Sequence, residues 1–241
     1  MVKCIRGFKS HSLRQRNMMK AFIITIKGMD ASERLAERAF TSAQTYGYDP
    51  YYFPAYTKDD SITFLEANNV RAVWNKDTPY FDLYNRWTSV GGTRGCFASH
   101  YSLWLKAIEL DEPIIILEHD AIITSAWNNP EWKDILHLDW EGSIRRREMR
   151  NGFDRYSPVK EHSVFRMGFF PGEASGICSM NCAYAYAITP DAALVLVSDA
   201  KSNGWFACDR FIREPLVDIC TINPKIAEEQ PEAIEMFTTS F

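Results

Sequence analysis

The chain has 241 residues, 46% of them hydrophobic and 24% charged, and a formal net charge of −4. These values are typical of one large soluble domain with a substantial core, and they exclude an overall polycation. No apolar run approaches the roughly 20 residues of a membrane helix, and no signal-peptide core begins the chain, so we expect a cytoplasmic protein. Docking at the inner membrane, or the host cytoplasm for a viral protein, is compatible with this expectation.

Charge is uneven along the chain. Residues 1–20 carry six lysines and arginines and no acid, and residues 144–160 carry six more against two acids. Such stretches fit either an anionic partner or solvated loops. We therefore predict a basic extension over 1–19 and a single domain over 20–241.

The six cysteines are scattered, and only Cys178 and Cys182 stand close together. Their C-x-x-x-C spacing has no second pair or nearby histidine, which favours reduced thiols over a zinc site.

The first elements predict the opening of a parallel sheet. "AFIITI" (21–26) is a β-branched run typical of a buried strand, and "DPYYFPAY" (49–56) indicates a second strand. Between them, Asp30 and Glu33 indicate a capping box, and a one-sided apolar pattern predicts a helix that ends at Gly47. Strand–helix–strand units of this kind build parallel sheets flanked by helices.

The middle of the chain predicts a helix, a strand and a ligand-binding edge. After the less regular residues 57–93, an apolar stripe predicts a helix over about 96–110. "IIIL" (114–117) follows as a strand that is apolar on both faces and therefore central in a sheet covered by helices. Ligands bind beyond the carboxyl ends of such strands, where Glu118 and Asp120 lie.

The second half of the chain predicts one long loop followed by further strands. Residues 124–176 are rich in Trp, Arg and Gly and predict a long loop, of the kind that often binds a ligand. "CAYAYAIT" (182–189) returns as a strand whose closing Thr, followed by Pro, is a good helix start. A further strand-like run covers 216–222, after a short segment that carries Asp209.

Glu118-His119-Asp120 is the sharpest local motif. Carboxylates at i and i+2 at a strand end can hold Mg²⁺ or Mn²⁺ against a phosphate, because these hard cations prefer oxygen ligands. The same letters also fit an ordinary turn. A His-Asp metal phosphohydrolase is disfavoured, since its pair sits among helices whereas this one follows a β-branched strand. No Walker loop, GxGxxG or GxSxG motif is present.

The stretch "GTRGCFASHYSLWLKAIELDEPIIILEHDAII" resembles the central signature of glycosyltransferase family 25, which includes lipooligosaccharide and collagen-modifying galactosyltransferases. The shared positions are Gly95, Cys96, Ser99, His100, Trp104, Leu117, Glu118 and Asp120. Four further segments resemble the family in the same order: "FIITIKGMDASERLAERAF" with Arg34, "AYAYAITPDAALVLV", "CDRFI" with Asp209, and "INPKIAEEQ". The resemblance covers roughly residues 20–231.

Three positions depart from the family pattern. His119 replaces its middle acid, Thr93 replaces a glutamate, and Tyr56-Thr57 replaces an Asp-Gly pair. These departures bear on the identity of the sugar more than on the reaction.

The resemblance implies an α/β fold of GT-A type, a Rossmann-like domain with a mostly parallel central sheet flanked by helices. It implies transfer of a sugar from a nucleotide-sugar, expected to be UDP-linked, to an acceptor hydroxyl with inversion. The expected cofactor is Mn²⁺ or Mg²⁺, held by Asp120, directly or with Glu118, to neutralise the leaving diphosphate. Glu118 holds the ribose in the alternative. His119 is a further candidate metal ligand, although a side chain between two paired acids is expected to point away from the ion.

Further residues receive roles from the same resemblance. Asp209 is the candidate base that takes the acceptor proton, with helix capping as the alternative. Arg34 and Lys27 are candidate contacts to the nucleotide or diphosphate. His100 and Trp104 are expected to pack beneath the metal turn.

The basic stretches favour an anionic acceptor. A phosphorylated lipopolysaccharide core is one candidate, and a hydroxymethylated base in phage DNA is another, whose phosphates would attract the arginines at 145–147 and 150. A collagen acceptor is disfavoured, because the chain shows no secretory signal. The alternative from a different class is a non-catalytic nucleotide-sugar or glycan-binding module, suggested by the altered Glu-His-Asp. The sequence indicates no oligomeric state.

Overall fold

The structure is a computed structural model that describes residues 18–73, 91–139, 141, 163–166, 179–180 and 182–233. The described elements, in chain order, are β1 Lys20–Thr25, α1 Asp30–Thr45, β2 Asp49–Pro54, α2 Asp60–Ala67, α3 Gly91–Leu110, β3 Ile114–Glu118, β4 Ala121–Ile123, β5 Ile135–His137, β6 Ser163–Arg166, β7 Ala185–Ile188, α4 Pro190–Asn203, α5 Cys208–Phe211, β8 Ile219–Asn223 and β9 Ala227–Glu229. Strands and helices alternate along the first half, as in other α/β proteins.

Seven of the described strands form one sheet in the order β2-β1-β3-β7-β5-β8-β6. The pairs β1–β2, β1–β3 and β5–β8 are parallel, whereas β7 and β6 run against their neighbours. Most strands of this sheet therefore point the same way. The predicted α/β fold with a mostly parallel sheet flanked by helices is confirmed. Strands β4 and β9 form a separate antiparallel pair.

Both faces of the sheet carry an apolar layer. Ile114 and Ile116 pack with residues of α3 and α4, whereas Ile115 and Leu117 pack with residues of α1. All four side chains are fully buried. A strand covered on both faces has no polar side, which explains the unbroken apolar run of β3.

The connection from β1 to α1 differs from the predicted capping box. The helix begins at Asp30, so Met29 occupies the cap position, and no side chain caps it. Glu33 Oε1 accepts instead from the backbone nitrogen of Gly28 at 2.8 Å. Gly28 has φ +79°, a left-handed conformation that glycine adopts without strain. The helix ends before Gly47, as predicted.

Helix α3 begins at Gly91, about five residues before the predicted start. The sequence "GGTRG" shows no apolar periodicity, and glycine has a low helix propensity, so this first turn was not apparent from pattern alone. Gly95 lies close to the segment just after β2: a Cβ atom at this position would lie 2.5 Å from the carbonyl oxygen of Tyr56. The glycine therefore allows the helix to approach the sheet.

The span 124–176, predicted as a long loop, contributes two strands to the central sheet. Strand β5 pairs with both β7 and β8, and β6 pairs with β8. Strands of three and four residues are too short to produce a readable alternation. The arginines at 145–147 and 150 lie outside the described residues, as do residues 1–17, so the predicted extension and single domain stay predictions.

The later predicted elements are confirmed. Strands β7 and β8 fall within the predicted runs 182–189 and 216–222, apart from one residue at the end of β8. The Thr189 hydroxyl accepts from the backbone nitrogen of Ala192 at 3.3 Å, so it caps α4.

Among the described helices, none combines the length and the hydropathy that crossing a bilayer requires.

Candidate functional site

The candidate site begins where β3 ends. Strands β1 and β3 are parallel neighbours, and Ile24 pairs with Glu118, so the carboxyl ends of both strands meet at one edge. The chain leaves β3 through His119 and Asp120 and enters β4 at Ala121. In α/β proteins this edge is where ligands bind.

The Glu118 carboxylate is held from the protein interior. Its Oε1 atom accepts a hydrogen bond from His100 Nε2 at 3.0 Å and lies 3.7 Å from the Cys96 thiol. Cys96 and His100 are one turn apart on α3, so both side chains reach the same oxygen. Among the described residues, none hydrogen-bonds Oε2, and the side chain is 28% exposed. One oxygen is therefore fixed while the other is available to a ligand.

His100 is itself fixed by two buried aromatic residues. The Nδ1 atom of His100 lies 2.9 Å from the Tyr186 hydroxyl, which accepts a hydrogen bond from Trp104 Nε1 at 2.9 Å. An indole nitrogen can only donate, so the tyrosine proton can point at Nδ1. This hydrogen-bond arrangement allows a proton on His100 Nε2, which faces Glu118. The predicted packing of His100 and Trp104 beneath the turn thus includes a hydrogen-bonded connection to it.

Burial and hydrogen bonding act on Glu118 in opposite directions. Burial raises its pKa, but the hydrogen bond and charge of His100, with a contribution from His119, more than offset this, and the pKa lies below its usual range. The carboxylate is therefore ionised at neutral pH. Burial raises the pKa of the Cys96 thiol, and the charges of Glu118 and Asp209 add to the effect. The thiol therefore stays protonated and can donate to Oε1.

Asp209 lies in the same cluster. It belongs to the short helix α5, which contacts α3, and the cap position of α5 is Ala207. Helix capping by Asp209, the alternative role, is therefore wrong. Burial raises the pKa values of the Cys96 and Cys208 thiols, and the charges of Glu118 and Asp209 raise them further. Two carboxylates that are 91 residues apart in the sequence thus act on the same two sulfur atoms.

The turn after β3 is held by one buried side chain, that of Gln230. Its Nε2 atom lies 3.1 Å from the carbonyl oxygen of His119, 3.0 Å from that of Ala121 and 3.0 Å from that of Leu35 in α1. The backbone nitrogen of Gln230 donates to the carbonyl of Asp120 at 2.7 Å. Every carbonyl of the turn is therefore tied to Gln230, which is only 2% exposed.

Gln230 and Tyr186 are the residues whose roles the sequence pattern missed. Gln230 ends the "INPKIAEEQ" segment, and Tyr186 alternates with alanines in "AYAYAIT". For Tyr186 the signal is a hydroxyl within a fully buried strand, which must find a partner. The segment of Gln230 is mostly half-buried and gives no such signal. The partners are between 82 and 195 residues away in the chain, so they cannot be identified without the fold.

Lys27 and Arg34 are exposed near the same edge. Lys27 lies in the β1–α1 connection, just beyond the paired end of β1. Arg34 lines an open groove of about 700 Å³ between α1 and β4, together with Ile122 and Glu228. Because β4 directly follows Asp120, this groove is adjacent to the turn.

Glu118 belongs to two sets of possible metal ligands. Glu118 and Asp120 offer carboxylate oxygens, which suit Mg²⁺ or Mn²⁺. A second set, formed by Cys96, His100 and Glu118, brings sulfur, nitrogen and oxygen within 4.8 Å of one another. Mixed ligands of that kind suit a softer cation.

Comparisons with known proteins identify the family. Glycosyltransferase family 25 (LPS biosynthesis protein) matches residues 18–212, which is most of the chain. Among solved structures, the apo form of mouse xyloside xylosyltransferase 1 is similar over 80% of this chain and 79% of that one, at 10% identity and a TM-score of 0.29, too low to support an argument. No curated protein matches the chain significantly. With its family matched over residues 18–212, the chain belongs to glycosyltransferase family 25 and is a glycosyltransferase.

Proposed function

We propose that the chain transfers a sugar from a UDP-linked donor to a glycan hydroxyl, with inversion, and that Asp120 and Glu118 bind the divalent cation of the donor. The observation that carries the proposal is the anchored Glu118 carboxylate. His100 holds its Oε1 atom at 3.0 Å, whereas Oε2 has no hydrogen bond from the described residues. Carboxylates that bind metals are characteristically oriented in this way by their neighbours.

The oxygens of Glu118 and Asp120 fit Mn²⁺ or Mg²⁺ by ligand chemistry. When bound, such an ion supplies positive charge beside the departing diphosphate. The protein supplies the orientation: His100 fixes one acid, and Gln230 fixes the backbone of the other. Groups that are oriented before the reaction need no rearrangement as charge develops. If Glu118 lies outside the metal shell, its Oε2 atom can accept from a ribose hydroxyl instead.

Asp209 is the proposed base. A single displacement with inversion needs one group that takes the proton of the acceptor hydroxyl as that oxygen attacks the sugar. Asp209 belongs to α5, separate from the proposed metal turn, and is close enough to Cys96 to influence its thiol. This arrangement leaves one carboxylate for the acceptor and two for the donor.

Lys27 and Arg34 are the proposed contacts to the nucleotide or its diphosphate. Both are exposed cations near the carboxyl edge, and cations at such an edge attract an anionic donor. Arg34 lies along the groove that borders β4, which is adjacent to Asp120.

The family description favours a lipopolysaccharide glycan as the acceptor. Work on such a precursor would occur in the cytoplasm, at the inner membrane surface. The alternative acceptor, a hydroxymethylated base in phage DNA, finds no support in the family match, and the arginines that suggested it lie outside the described residues.

The experiment combines donor binding with transfer. Thermal stabilisation by several nucleotide-sugars, each with Mn²⁺, identifies the donor, and Asp120→Asn is then assayed for transfer and for donor hydrolysis. We expect turnover to fall about 10³-fold, because the lost charge no longer supports the departing diphosphate. Circular dichroism should remain unchanged.

Asp111→Asn is the matched control. Asp111 is an exposed acid before β3, at the opposite end of that strand, and its φ of +51° is a conformation that asparagine tolerates. Full activity in Asp120→Asn would refute the metal assignment. A wild-type protein that binds donor without turnover would instead support the non-catalytic module.

A further inference from the structure

We propose that Cys96, His100 and Glu118 form a second metal site, which binds a borderline transition-metal cation such as Zn²⁺. The ligand atoms are the cysteine Sγ, the histidine Nε2 and a carboxylate oxygen, and all lie within 4.8 Å of one another. The scattered cysteines gave no hint of this site, because a single cysteine contributes to it, with a histidine of the same helix and a glutamate of a strand.

Two of the three separations between ligand atoms are close to those of tetrahedral coordination. Bonds of about 2.3 Å to sulfur and about 2.1 Å to nitrogen or oxygen put neighbouring ligand atoms about 3.4 to 3.6 Å apart. The observed separations are 3.0 Å from His100 Nε2 to Glu118 Oε1 and 3.7 Å from Cys96 Sγ to the same oxygen. These two edges therefore need to change by less than about 0.5 Å when an ion binds.

The backbone supports the same geometry. Cys96 and His100 occupy positions i and i+4 of α3, which lie on one helix face, and Glu118 ends a strand of the central sheet. Helices and strands hold ligands more rigidly than loops do. Three protein ligands leave a fourth position for water. Solvent can reach that position, since Cys96 and Glu118 are both partly exposed.

Tyr186 supplies the outer contact that a metal-binding histidine requires. Such a histidine usually hydrogen-bonds through its second ring nitrogen, and His100 Nδ1 already lies 2.9 Å from the Tyr186 hydroxyl. This hydroxyl can accept as well as donate, so it can bind Nδ1–H once the ion occupies Nε2. The Cys96 thiol loses its proton to solvent as the sulfur–metal bond forms.

The site differs in selectivity from the proposed donor site. Thiolate and imidazole ligands favour Zn²⁺ or Co²⁺ over Mg²⁺. Since Glu118 belongs to both sites, an ion bound here would inhibit sugar transfer. That consequence rests on the proposed function, whereas binding of the ion to these three residues does not.

The test is a Co²⁺ titration of the reduced, metal-free full-length protein, followed by the cysteine-to-cobalt charge-transfer absorption. We expect one equivalent to saturate the signal, Zn²⁺ to displace it and Mg²⁺ to leave it unchanged. Cys96→Ser should abolish the signal. Cys220→Ser should retain it, because Cys220 packs with the cluster on the opposite face of the sheet.

Two further variants separate direct ligands from the outer contact. His100→Gln should weaken Co²⁺ binding by more than about 10-fold, and Tyr186→Phe by about 10-fold, since it removes only the partner of Nδ1. Thermal melting of each variant, with Cys96→Ala beside Cys96→Ser, distinguishes a lost site from a lost fold. A wild-type protein without the absorption, or a Cys96 variant that keeps it, would overturn the proposal regardless of any transfer assay.

Discussion

The two acids of the Glu-His-Asp turn are two residues apart, yet the molecule holds them by different means. Glu118 is fixed through its side chain, by His100 from within α3. Asp120 is fixed through its backbone, where Gln230 binds its carbonyl and those on either side. The first arrangement controls the orientation and ionisation of a carboxylate. The second controls the path of the chain. Substitutions on each side should therefore change different measurable quantities.

The largest effect is expected from Asp209→Asn, in the helix α5 that packs beside the cluster around Glu118. If Asp209 is the base, kcat should fall by about 10² to 10⁴, because the acceptor proton loses its carboxylate. The affinity for Mn²⁺, which depends on the turn, should stay unchanged. Asp191→Asn, an exposed acid in the first turn of α4, is the control. A loss of kcat below about tenfold would remove Asp209 from the proposed role.

His100→Leu should have the next largest effect, and mainly on stability. The free energy of unfolding should fall by about 2 to 4 kcal/mol, because a carboxylate oxygen and the buried Tyr186 hydroxyl both lose a partner. His100→Gln can still donate to Glu118, so part of that loss should be recovered. Urea denaturation measures both variants. Equal stability of His100→Leu and wild type would show that the buried hydrogen bonds contribute little.

Gln230→Leu tests the backbone side. Three carbonyls, two of them in buried hydrogen bonds, lose their shared amide donor, which should reduce the free energy of unfolding by about 1 to 3 kcal/mol. The Mn²⁺ concentration for half-maximal activity should rise about tenfold, because the turn loses its fixed path. Kinetics at saturating Mn²⁺ should then approach the wild-type kcat. If stability falls while Mn²⁺ dependence stays the same, Gln230 supports the fold and has no part in positioning Asp120.

The smallest effect is expected from Tyr101→Phe, next to His100 in α3. Burial raises the pKa of Tyr101 to about 12, and its hydroxyl hydrogen-bonds no described residue. The folded state therefore keeps a proton that the unfolded state releases above about pH 10. Its contribution to stability is present below about pH 10 and is lost as the pH rises towards 12.

Tyr101→Phe should make the alkaline decline less steep and change stability at pH 7 by no more than about 0.5 kcal/mol. Denaturant midpoints at about pH 7 and about pH 11 measure both quantities. If the free energy of unfolding falls as steeply in the variant as in the wild type, the loss of stability at high pH arises from other tyrosines.

The edge of the sheet could be predicted from sequence because it depends on local pattern. In β3, the unbroken apolar run predicts burial on both faces, and the acids that follow mark the carboxyl end of the strand. The connections between distant segments could not be predicted in the same way. The contact of Gln230 with Leu35 spans 195 residues, and no local periodicity encodes it. Strands β5 and β6 could not be predicted because they are too short to show an alternation of apolar and polar residues.

Gly95 has a consequence for any redesign of the enzyme. The segment just after β2 passes so near α3 that one methyl group at Gly95 would press against the Tyr56 carbonyl, and the Tyr56 nitrogen donates to Ser99 Oγ one turn later. The helix that orients Glu118 is thus aligned against β2, two strands away from the acid itself. Grafting the candidate site onto another scaffold would therefore require α3 together with β2 and the residues that follow it. A bulkier side chain at position 95 would displace α3 and move His100 Nε2 away from Glu118, without altering any side chain proposed to bind the donor.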